Sequence, residues 1–517
     1  MRALLLILLT ACTTVATVAS AESPLSSPSG GLQGQGPGVF TPGGGDLPDL
    51  GSPSAAAITK ADEYQFGAMV AKQLRDQNAI IEDPEATEYL QNIGFRLGAQ
   101  TPDGARGFQF FPVKDSSINA FAVPGGFVFV NYGLLLATRN ESELAGVLAH
   151  EIAHVTQHHI ARSVKAQSQQ AITSAAAILA AILLGAIGGG GGGQAIEGGM
   201  AAAQGLAVQQ QINFTRSNEE EADRVGIGYL YAAGFNTQGM ADFFEEISRH
   251  EGLAATYFPA MLSDHPVTSD RIAEARARAT QLGNAMKVQE SQSFELIRER
   301  MRVITAPPDT DVLKQYGTRI KNGEDGIAVH YGQALAYMAM NKPVEAQKIL
   351  FELVQKNQGL TLLYAALGQA ELKSGQQNDA IATFKHAVSL FPRNVPVTVR
   401  YAEALMSVGK NAEAHTVLLD LFNNVSPTPE QIRLTALAAA ASGDPGDAYY
   451  YMGEYQIAGG ELPLAVQQLQ LALATPNLNS VQRQRFQARL AEIREYLASA
   501  RLRRASNTGD DSSGGGR

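Results

Sequence analysis

The sequence predicts an α+β domain, rich in helices and with a small sheet, followed by an all-α solenoid of helical repeats. Two short apolar strands flank a turn at 124–126, which indicates the sheet, and helical patterns on both sides of them indicate the helix-rich surroundings. Small residues that recur at a fixed interval beyond position 340 predict the solenoid. A chain of 517 residues is long enough for both units.

The first 21 residues predict an export signal. Arg2 precedes the apolar core Ala3–Leu9, and Ala19-Ser20-Ala21 matches a signal-peptide cleavage site. Leu9-Thr10-Ala11-Cys12 supports a competing interpretation, in which Cys12 is lipidated and the protein becomes an outer-membrane lipoprotein. Both interpretations export the chain.

The amino-acid composition divides the rest of the chain into a linker, two domains and a tail. Residues 22–54 are rich in serine, proline and glycine, which predicts a disordered linker. We place the first ordered domain at 55–306, the repeats at 307–504 and a flexible tail at 505–517.

Charge and cysteine content exclude several classes of function. The formal net charge of −10 argues against a general nucleic-acid-binding protein, so no nucleic-acid partner is expected. Cys12 is the single cysteine, so the chain can form no intrachain disulfide and no cysteine-ligated metal site.

The first ordered domain opens with two helical patterns, at 60–74 and 84–97, and a strand pattern at 108–113. A hairpin then follows, with strands at 119–123 and 127–130. A simple buried hairpin is one interpretation. The other is an edge strand that pairs with an extended peptide substrate through four residues: Asn119, Ala120, Phe121 and Ala122.

The most informative motif is His150-Glu151-Ile152-Ala153-His154, which matches H-E-x-x-H. Residues four apart lie on one face of a helix, so the two imidazoles can bind one Zn²⁺ from the same side. Glu151 would lie beside the metal as a general base. Asn140 with Glu143 predicts a capping box at the start of this helix. The alternative is an amphipathic helix with two surface histidines.

A catalytic zinc site needs a third protein ligand. Glu219 and Asp223 share one face of a helix that Ser217 would cap, although an acidic first turn can equally be a solvated one. His158 follows the motif by one turn, and His265 precedes a proline in a loop. The residues alone leave the choice open.

Between the motif and the acidic helix lies an unusual apolar segment, 171–187, followed by a run of glycines. Its seventeen residues are the lower limit for a membrane span, and it is rich in alanine rather than leucine. We expect a helical hairpin that covers the site or contacts a membrane surface, rather than a span.

The repeats are recognised by their period. Ala346, Ala380 and Ala414 have similar local sequences and are 34 residues apart, which is the tetratricopeptide (TPR) period. Ala465 follows after one and a half periods, so an extra helix is expected near 430–441. A bundle without repeats is the alternative.

Four motifs in this order resemble those of the HtpX-type zinc peptidases, a zincin-like fold. The resemblance covers about residues 55–285, and the signal peptide and repeats point to its exported members. The matching segments are Asn119-Ala120-Phe121-Ala122-Val123-Pro124-Gly125-Gly126, His150-Glu151-Ile152-Ala153-His154, Glu219 with Asp223, and His265-Pro266-Val267-Thr268 with Arg271.

The resemblance implies one zinc ion per chain, with His150, His154 and Glu219 as ligands and Glu151 as general base. Asp223 and Arg271 would support the ligands from outside. His265 would lie near the metal, where it would either stabilise the oxyanion of the reaction or occupy the fourth zinc position and keep the enzyme latent. These roles are assigned by the family resemblance and by the matching order of the motifs.

The same resemblance implies a periplasmic zinc metalloendopeptidase whose substrates are misassembled outer-membrane or envelope polypeptides. The TPR repeats would dock the outer-membrane protein assembly machinery. The alternative is an assembly factor or chaperone that acts mainly through the TPR surface, with little proteolysis.

Overall fold

The computed structural model describes residues 60–104, 107–160, 162, 216–251, 265–284 and 290–509. The predicted export signal with Cys12, the linker 22–54 and the apolar segment 171–187 lie outside these residues. No helix in the described part of the chain is both long and apolar enough to cross a membrane.

The first part of the chain packs helices around one sheet. The helices predicted at 60–74 and 84–97 are present and extend slightly further at their carboxyl ends. The elements are α1 (Lys60–Asp76), α2 (Pro84–Gly98), β1 (Gln109–Val113), β2 (Ala120–Val123), β3 (Phe127–Asn131), α3 (Tyr132–Ala137), α4 (Glu141–Thr156), α5 (Arg216–Ala233), α6 (Gly239–Glu251) and α7 (Ser269–Leu282).

The sheet has the strand order β1–β3–β2. β1 runs parallel to β3, and β2 runs antiparallel to β3 across the predicted hairpin. Gly125 and Gly126 form the turn with φ of 88° and 80°, a region that glycine adopts without strain. Among the described strands, β3 is therefore central, and β2 is one of the two edge strands.

The sequence predicted two helix caps, of which the first is present in part and the second is absent. Asn140 Oδ1 accepts a hydrogen bond from the Glu143 N–H at 2.9 Å, as expected. The Glu143 carboxylate, however, accepts from the backbone N–H of Arg139 at 2.7 Å, because it also pairs with the Arg139 guanidinium. The cap at Ser217 is wrong: α5 already includes Arg216, whose guanidinium pairs with Glu220 at 3.0 Å.

Close packing of α5 against α4 positions the acidic residues of α5. A Cβ atom on Gly226 would lie 3.1 Å from the Ala149 carbonyl oxygen, so a glycine lets the two helix backbones approach. Glu219 and Asp223 lie two turns and one turn, respectively, before Gly226, on the buried side of α5. They consequently face the carboxyl half of α4.

The remainder of the described chain is helical, as the repeat period predicts. Ala346, Ala380, Ala414 and Ala465 are fully buried, each near the start of the second helix of a pair. The helices are α8 (Gln292–Ile304), α9 (Val312–Lys321), α10 (Ile327–Ala339), α11 (Pro343–Lys356), α12 (Thr361–Lys373), α13 (Gln377–Leu390), α14 (Val395–Ser407), α15 (Asn411–Phe422), α16 (Pro429–Ser442), α17 (Pro445–Ala458), α18 (Leu462–Ala474) and α19 (Ser480–Gly509).

The ends of the repeat region add two findings. α16 is the extra helix expected near 430–441, and it shifts the next pair by half a period. α19 runs to Gly509 and so includes the first five residues of the segment 505–517, which the sequence predicted as a flexible tail.

Buried ion pairs join the repeats to the amino end of α2. Arg300 from α8 lies 2.6 Å from Asp83 and 3.0 Å from Glu85, and Arg400 from α14 lies 2.9 Å from Glu85. Removing one partner would leave a buried charge unpaired, at a cost of about 3–5 kcal/mol. A hydrophobic core also continues across the predicted boundary at 306, so α2 and the repeats form one packed body.

Helix α1 contacts both the sheet and the last repeats. The Tyr64 ring packs edge-on against Phe127 of β3, with centroids 5.3 Å apart. Tyr64 also packs against the hydrophobic cluster that includes Ile457 and Leu462. Lys72 lies 3.8 Å from Glu461 at the start of α18. The two ends of the described chain therefore meet beside the sheet.

Candidate metal centre

Four buried side chains converge at one point between α4, α5 and the loop before α7. They are His150 and His154 from α4, Glu219 from α5 and His265 from the loop. One nitrogen or oxygen atom of each lies within 4.8 Å of those of the other three. Each side chain is at most 4% exposed, so these polar atoms face one another rather than water.

The distances match the donors of one metal ion. The Nε2 atoms of His150 and His154 are 2.9 Å apart, and each lies 3.5 Å from a Glu219 carboxylate oxygen. His265 Nδ1 lies 3.0 Å from Glu219 Oε1 and 3.4 Å from His150 Nε2. Imidazole nitrogens with one carboxylate are the usual donors of a catalytic zinc site, so these residues fit Zn²⁺.

Asp223 and Arg271 support this cluster from behind. Asp223 Oδ1 lies 2.9 Å from His150 Nδ1, an arrangement in which Nδ1–H donates and Nε2 keeps its lone pair for a metal. Arg271 donates two hydrogen bonds of 2.8 Å to Asp223 and lies 2.9 Å from Glu219. One guanidinium therefore fixes the orientation of both carboxylates.

Arg271 also holds the loop that carries His265. Its Nη1 donates a hydrogen bond of 2.8 Å to the carbonyl oxygen of Pro266. Thr268 caps α7 by accepting from the Arg271 N–H at 3.3 Å. The loop and the carboxylates of α5 consequently share one anchoring residue.

Glu151 lies beside the cluster with one oxygen bound and one available. Its Oε2 accepts a hydrogen bond of 3.1 Å from the Ala122 N–H. Its Oε1 is buried, forms no hydrogen bond within the described part of the chain, and lies 3.7 Å from His265 Nε2. Burial raises the pKa of the Glu151 carboxyl above its ordinary value, which suits a general base near neutral pH.

The outer edge of β2 faces this carboxylate. The Asn131 N–H donates to the Asn119 carbonyl oxygen, so Asn119 and every second residue after it, including Phe121, bond to β3. The N–H and C=O groups of Ala120 and Ala122 then point away from β3, as the contact between Ala122 and Glu151 shows for one of them. A peptide that pairs with this edge would lie beside Glu151.

Charges within the cluster favour the metal-binding protonation states of the two carboxylates and of His154. Burial alone would raise the pKa of Glu219 and of Asp223, but hydrogen bonds and charges from the histidines and Arg271 outweigh it and keep both pKa values below normal. Burial, together with the neighbouring His150 and His265, lowers the pKa of His154 well below its ordinary value. Charged carboxylates and a neutral imidazole are the forms that bind a metal. For His150, burial lowers the pKa, but hydrogen bonds to Asp223 and Glu219 outweigh it and raise the pKa to about 9, so metal binding would displace a proton there.

The structure also brings in a histidine that sequence reasoning did not select. His158 is exposed and has a φ of 53°, whereas His159 is buried, with Nδ1 2.8 Å from His154 Nδ1. α4 ends at Thr156, so counting in helical turns from His154 favours the wrong residue. No periodic signal in the sequence identifies a side chain placed by the turn after a helix.

The match to peptidase family M48 covers residues 84–279, and so includes all four clustered residues. The beta-barrel assembly-enhancing protease of Escherichia coli K12 is 32% identical over 462 residues, which cover 88% of this chain and 93% of that protein. The protein of the same name in Yersinia pestis is 30% identical and covers 87% of this chain and 91% of its own length. The mitochondrial metalloendopeptidase OMA1 of Schizosaccharomyces pombe is 29% identical over 36% of this chain and 51% of its own.

Proposed function

Because the chain belongs to peptidase family M48, and is a zinc-dependent metalloendopeptidase, we propose that His150, His154 and Glu219 bind its zinc ion and that Glu151 is the general base. The convergence of these buried donor atoms within 4.8 Å is the observation that carries the proposal. The test is cleavage of casein by the purified full chain: a zinc chelator should stop it and added Zn²⁺ should restore it. Chelator-resistant cleavage would contradict the proposal.

Bound zinc supplies Lewis-acid chemistry, since it lowers the pKa of water and polarises a peptide carbonyl. Glu151 Oε1, the oxygen without a hydrogen bond in the described structure, accepts the proton of the attacking water. It then passes that proton to the nitrogen of the leaving amine. Oε2 stays bonded to the Ala122 N–H throughout, which holds the carboxylate in place.

Substrate binding uses the edge of β2. The outward N–H and C=O groups of Ala120 and the outward C=O group of Ala122 pair with an extended segment of substrate, while the Ala122 N–H stays bonded to Glu151. Asn119 and Phe121 tie β2 to β3. Backbone pairing depends on the extended conformation of the substrate more than on its side chains. The site therefore selects unfolded or misassembled polypeptides.

The relatives named beta-barrel assembly-enhancing protease support the cellular role that we propose. The substrates are misassembled outer-membrane or envelope proteins, and the TPR helices α10 to α18 dock the outer-membrane assembly machinery. The predicted signal peptide at 1–21 places the chain in the periplasm. Lipidation of Cys12 and membrane-surface contact by 171–187 stay predictions outside the described residues.

A role as an assembly factor is the second candidate function. The observation that favours it is the buried ion-pair network that joins α8 and α14 to α2, because it makes the repeats a fixed part of the body rather than a loose appendage. A docked partner would thus be held at a fixed position relative to the peptidase. A variant without catalysis, described in the Discussion, separates the two roles.

Replacing Ala122 by proline should lower kcat/KM for casein about fivefold, because the N–H that bonds to Glu151 is lost and a hydrogen bond is worth about 1 kcal/mol. Zinc content should be unchanged. Ala122→Val keeps the N–H and serves as the control. A folded Ala122→Pro with wild-type kcat/KM and melting temperature would exclude a role of the Ala122 N–H in positioning Glu151.

We infer that His265 takes the fourth position of the site, and the contacts of its Nδ1 with Glu219 and His150 support this role. We expect it to keep the resting enzyme latent, and His265→Ala should raise casein cleavage and self-cleavage severalfold. A loss of about 10²-fold would instead assign His265 to oxyanion stabilisation. Unchanged activity would exclude both roles.

A further inference from the structure

His159 forms a chain of contacts that begins at the proposed zinc ligand His154. His159 Nδ1 lies 2.8 Å from His154 Nδ1, on the side of the His154 ring that faces away from the cluster. His159 Nε2 lies 3.2 Å from Glu221 Oε2 on α5. The two imidazole rings are steeply inclined to each other, with centroids 4.8 Å apart.

The chemistry of His154 sets the direction of these hydrogen bonds. The Nε2 atom of His154 faces His150 and Glu219, so it must keep a lone pair to bind zinc. A neutral imidazole with a lone pair on Nε2 carries its proton on Nδ1. That Nδ1–H can donate only to an acceptor, and the adjacent acceptor is Nδ1 of His159.

The far end of the chain fixes His159 in the matching tautomer. With its Nδ1 accepting, His159 carries a proton on Nε2, which donates to the Glu221 carboxylate. Arg162 donates to the same carboxylate oxygen at 3.0 Å, and also to the Asn218 side-chain oxygen at 3.1 Å. The charge of Glu221 is thus balanced, and its oxygen is held where Nε2–H points.

The local backbone places His159 for this contact. α4 ends at Thr156, and the left-handed conformation of His158, with a φ of 53°, changes the direction of the chain just before His159. Arg162 also donates to the Gln157 carbonyl oxygen at 3.3 Å, which ties the turn to α5. His158 is left exposed and His159 is buried.

We propose that His159 is a positioning residue of the zinc site: its Nδ1 accepts the hydrogen bond that holds His154 in the zinc-binding tautomer, and Glu221 sets the tautomer of His159. The proposal rests on the zinc site described under Proposed function. Each histidine of the H-E-x-x-H motif would then have its own partner at Nδ1. The partner of His150 is Asp223, and the partner of His154 is His159.

The test measures zinc affinity of the full chain by competition with a chromophoric chelator. His159→Phe keeps the size of the ring but has no acceptor, and its zinc Kd should rise about 10–100-fold, the usual effect of removing such a partner. His159→Asn places Oδ1 near the position of Nδ1, so its Kd should stay within about threefold of wild type. The melting temperature of the zinc-free proteins shows whether each variant is folded.

Glu221→Ala provides an independent test that does not alter the core. Its zinc Kd should rise about tenfold, because Nε2–H of His159 loses its acceptor. Glu220→Ala is the matched control on the same helical turn: Glu220 pairs with Arg216 and is 41% exposed, so its zinc Kd should not change.

Two results would overturn the proposal. One is equal zinc affinity in His159→Phe and wild type, or equal losses in His159→Phe and His159→Asn. The other, which decides if His159→Phe does not fold, is wild-type affinity in Glu221→Ala. A wild-type chain that binds no zinc would instead refute the metal site itself, so the two failures are distinguishable.

Discussion

Replacing Glu151 by glutamine is expected to lower kcat/KM for casein on the order of 10⁴-fold, the upper end of what a general base contributes. Glutamine has the same shape, and its amide oxygen can still accept the Ala122 N–H that Glu151 Oε2 accepts. It cannot take a proton from water near neutral pH. Zinc content should therefore stay at the wild-type value while cleavage is lost.

The measurement is casein cleavage next to zinc content by elemental analysis, with Glu220→Gln as an exposed acid control. Retention of more than about a tenth of the activity would exclude Glu151 as the base. The same variant tests the second candidate function. If the repeats carry the main role, Glu151→Gln should still support outer-membrane protein assembly in cells that lack the wild-type protein.

Replacing Glu219 by glutamine is expected to weaken zinc binding by more than about 100-fold, beyond the effect of losing an outer partner, because an anionic ligand is lost. The carboxylate lies 3.5 Å from each ligand histidine and pairs with Arg271. Neutralising it would also leave that buried guanidinium with Asp223 alone. Proteolysis should disappear together with the metal.

Glu220→Gln is the matched control, since Glu220 belongs to the same acidic run but pairs with exposed Arg216. Zinc affinity measured by chelator competition should separate the two variants. Equal losses in both would refute the assignment of Glu219, and so would wild-type zinc affinity in a folded Glu219→Gln.

Sequence reasoning predicted the parts of the site that follow from helix geometry. The spacing of His150 and His154 places them on one face of α4, and the structure has them there. Glu219 and Asp223 needed more than spacing, because Glu220 and Glu221 carry the same charge. The packing of Gly226 against Ala149 decides which acids are buried, and that contact cannot be predicted from the acids themselves.

The rest of the site depends on tertiary contacts between distant segments. Arg271 links Asp223 to the Pro266 carbonyl, and only the family resemblance, not the residue pattern itself, placed Arg271 near these residues. His159 reaches His154 because α4 ends and the left-handed conformation of His158 redirects the chain. Helical periodicity has no bearing on a residue placed in this way.

The fold, like the site, could be predicted from the sequence only in part. The period of the alanines predicted the repeat helices and the extra helix α16, because small buried residues are needed wherever two helices cross closely. It did not predict that Asp83 and Glu85 pair with Arg300 and Arg400 across the two regions. Charged residues are usually expected at the surface, so their burial is evident only when the partners are in place.

We propose above all that this chain binds one catalytic zinc ion through His150, His154 and Glu219, with Glu151 as the base. Elemental analysis of three proteins purified in parallel tests it most directly: wild type, Glu151→Gln and Glu219→Gln, each dialysed against a weak chelator. We predict one zinc per chain in the first two and none in the third. Zinc retained in Glu219→Gln, or absent from the wild type, would contradict the account.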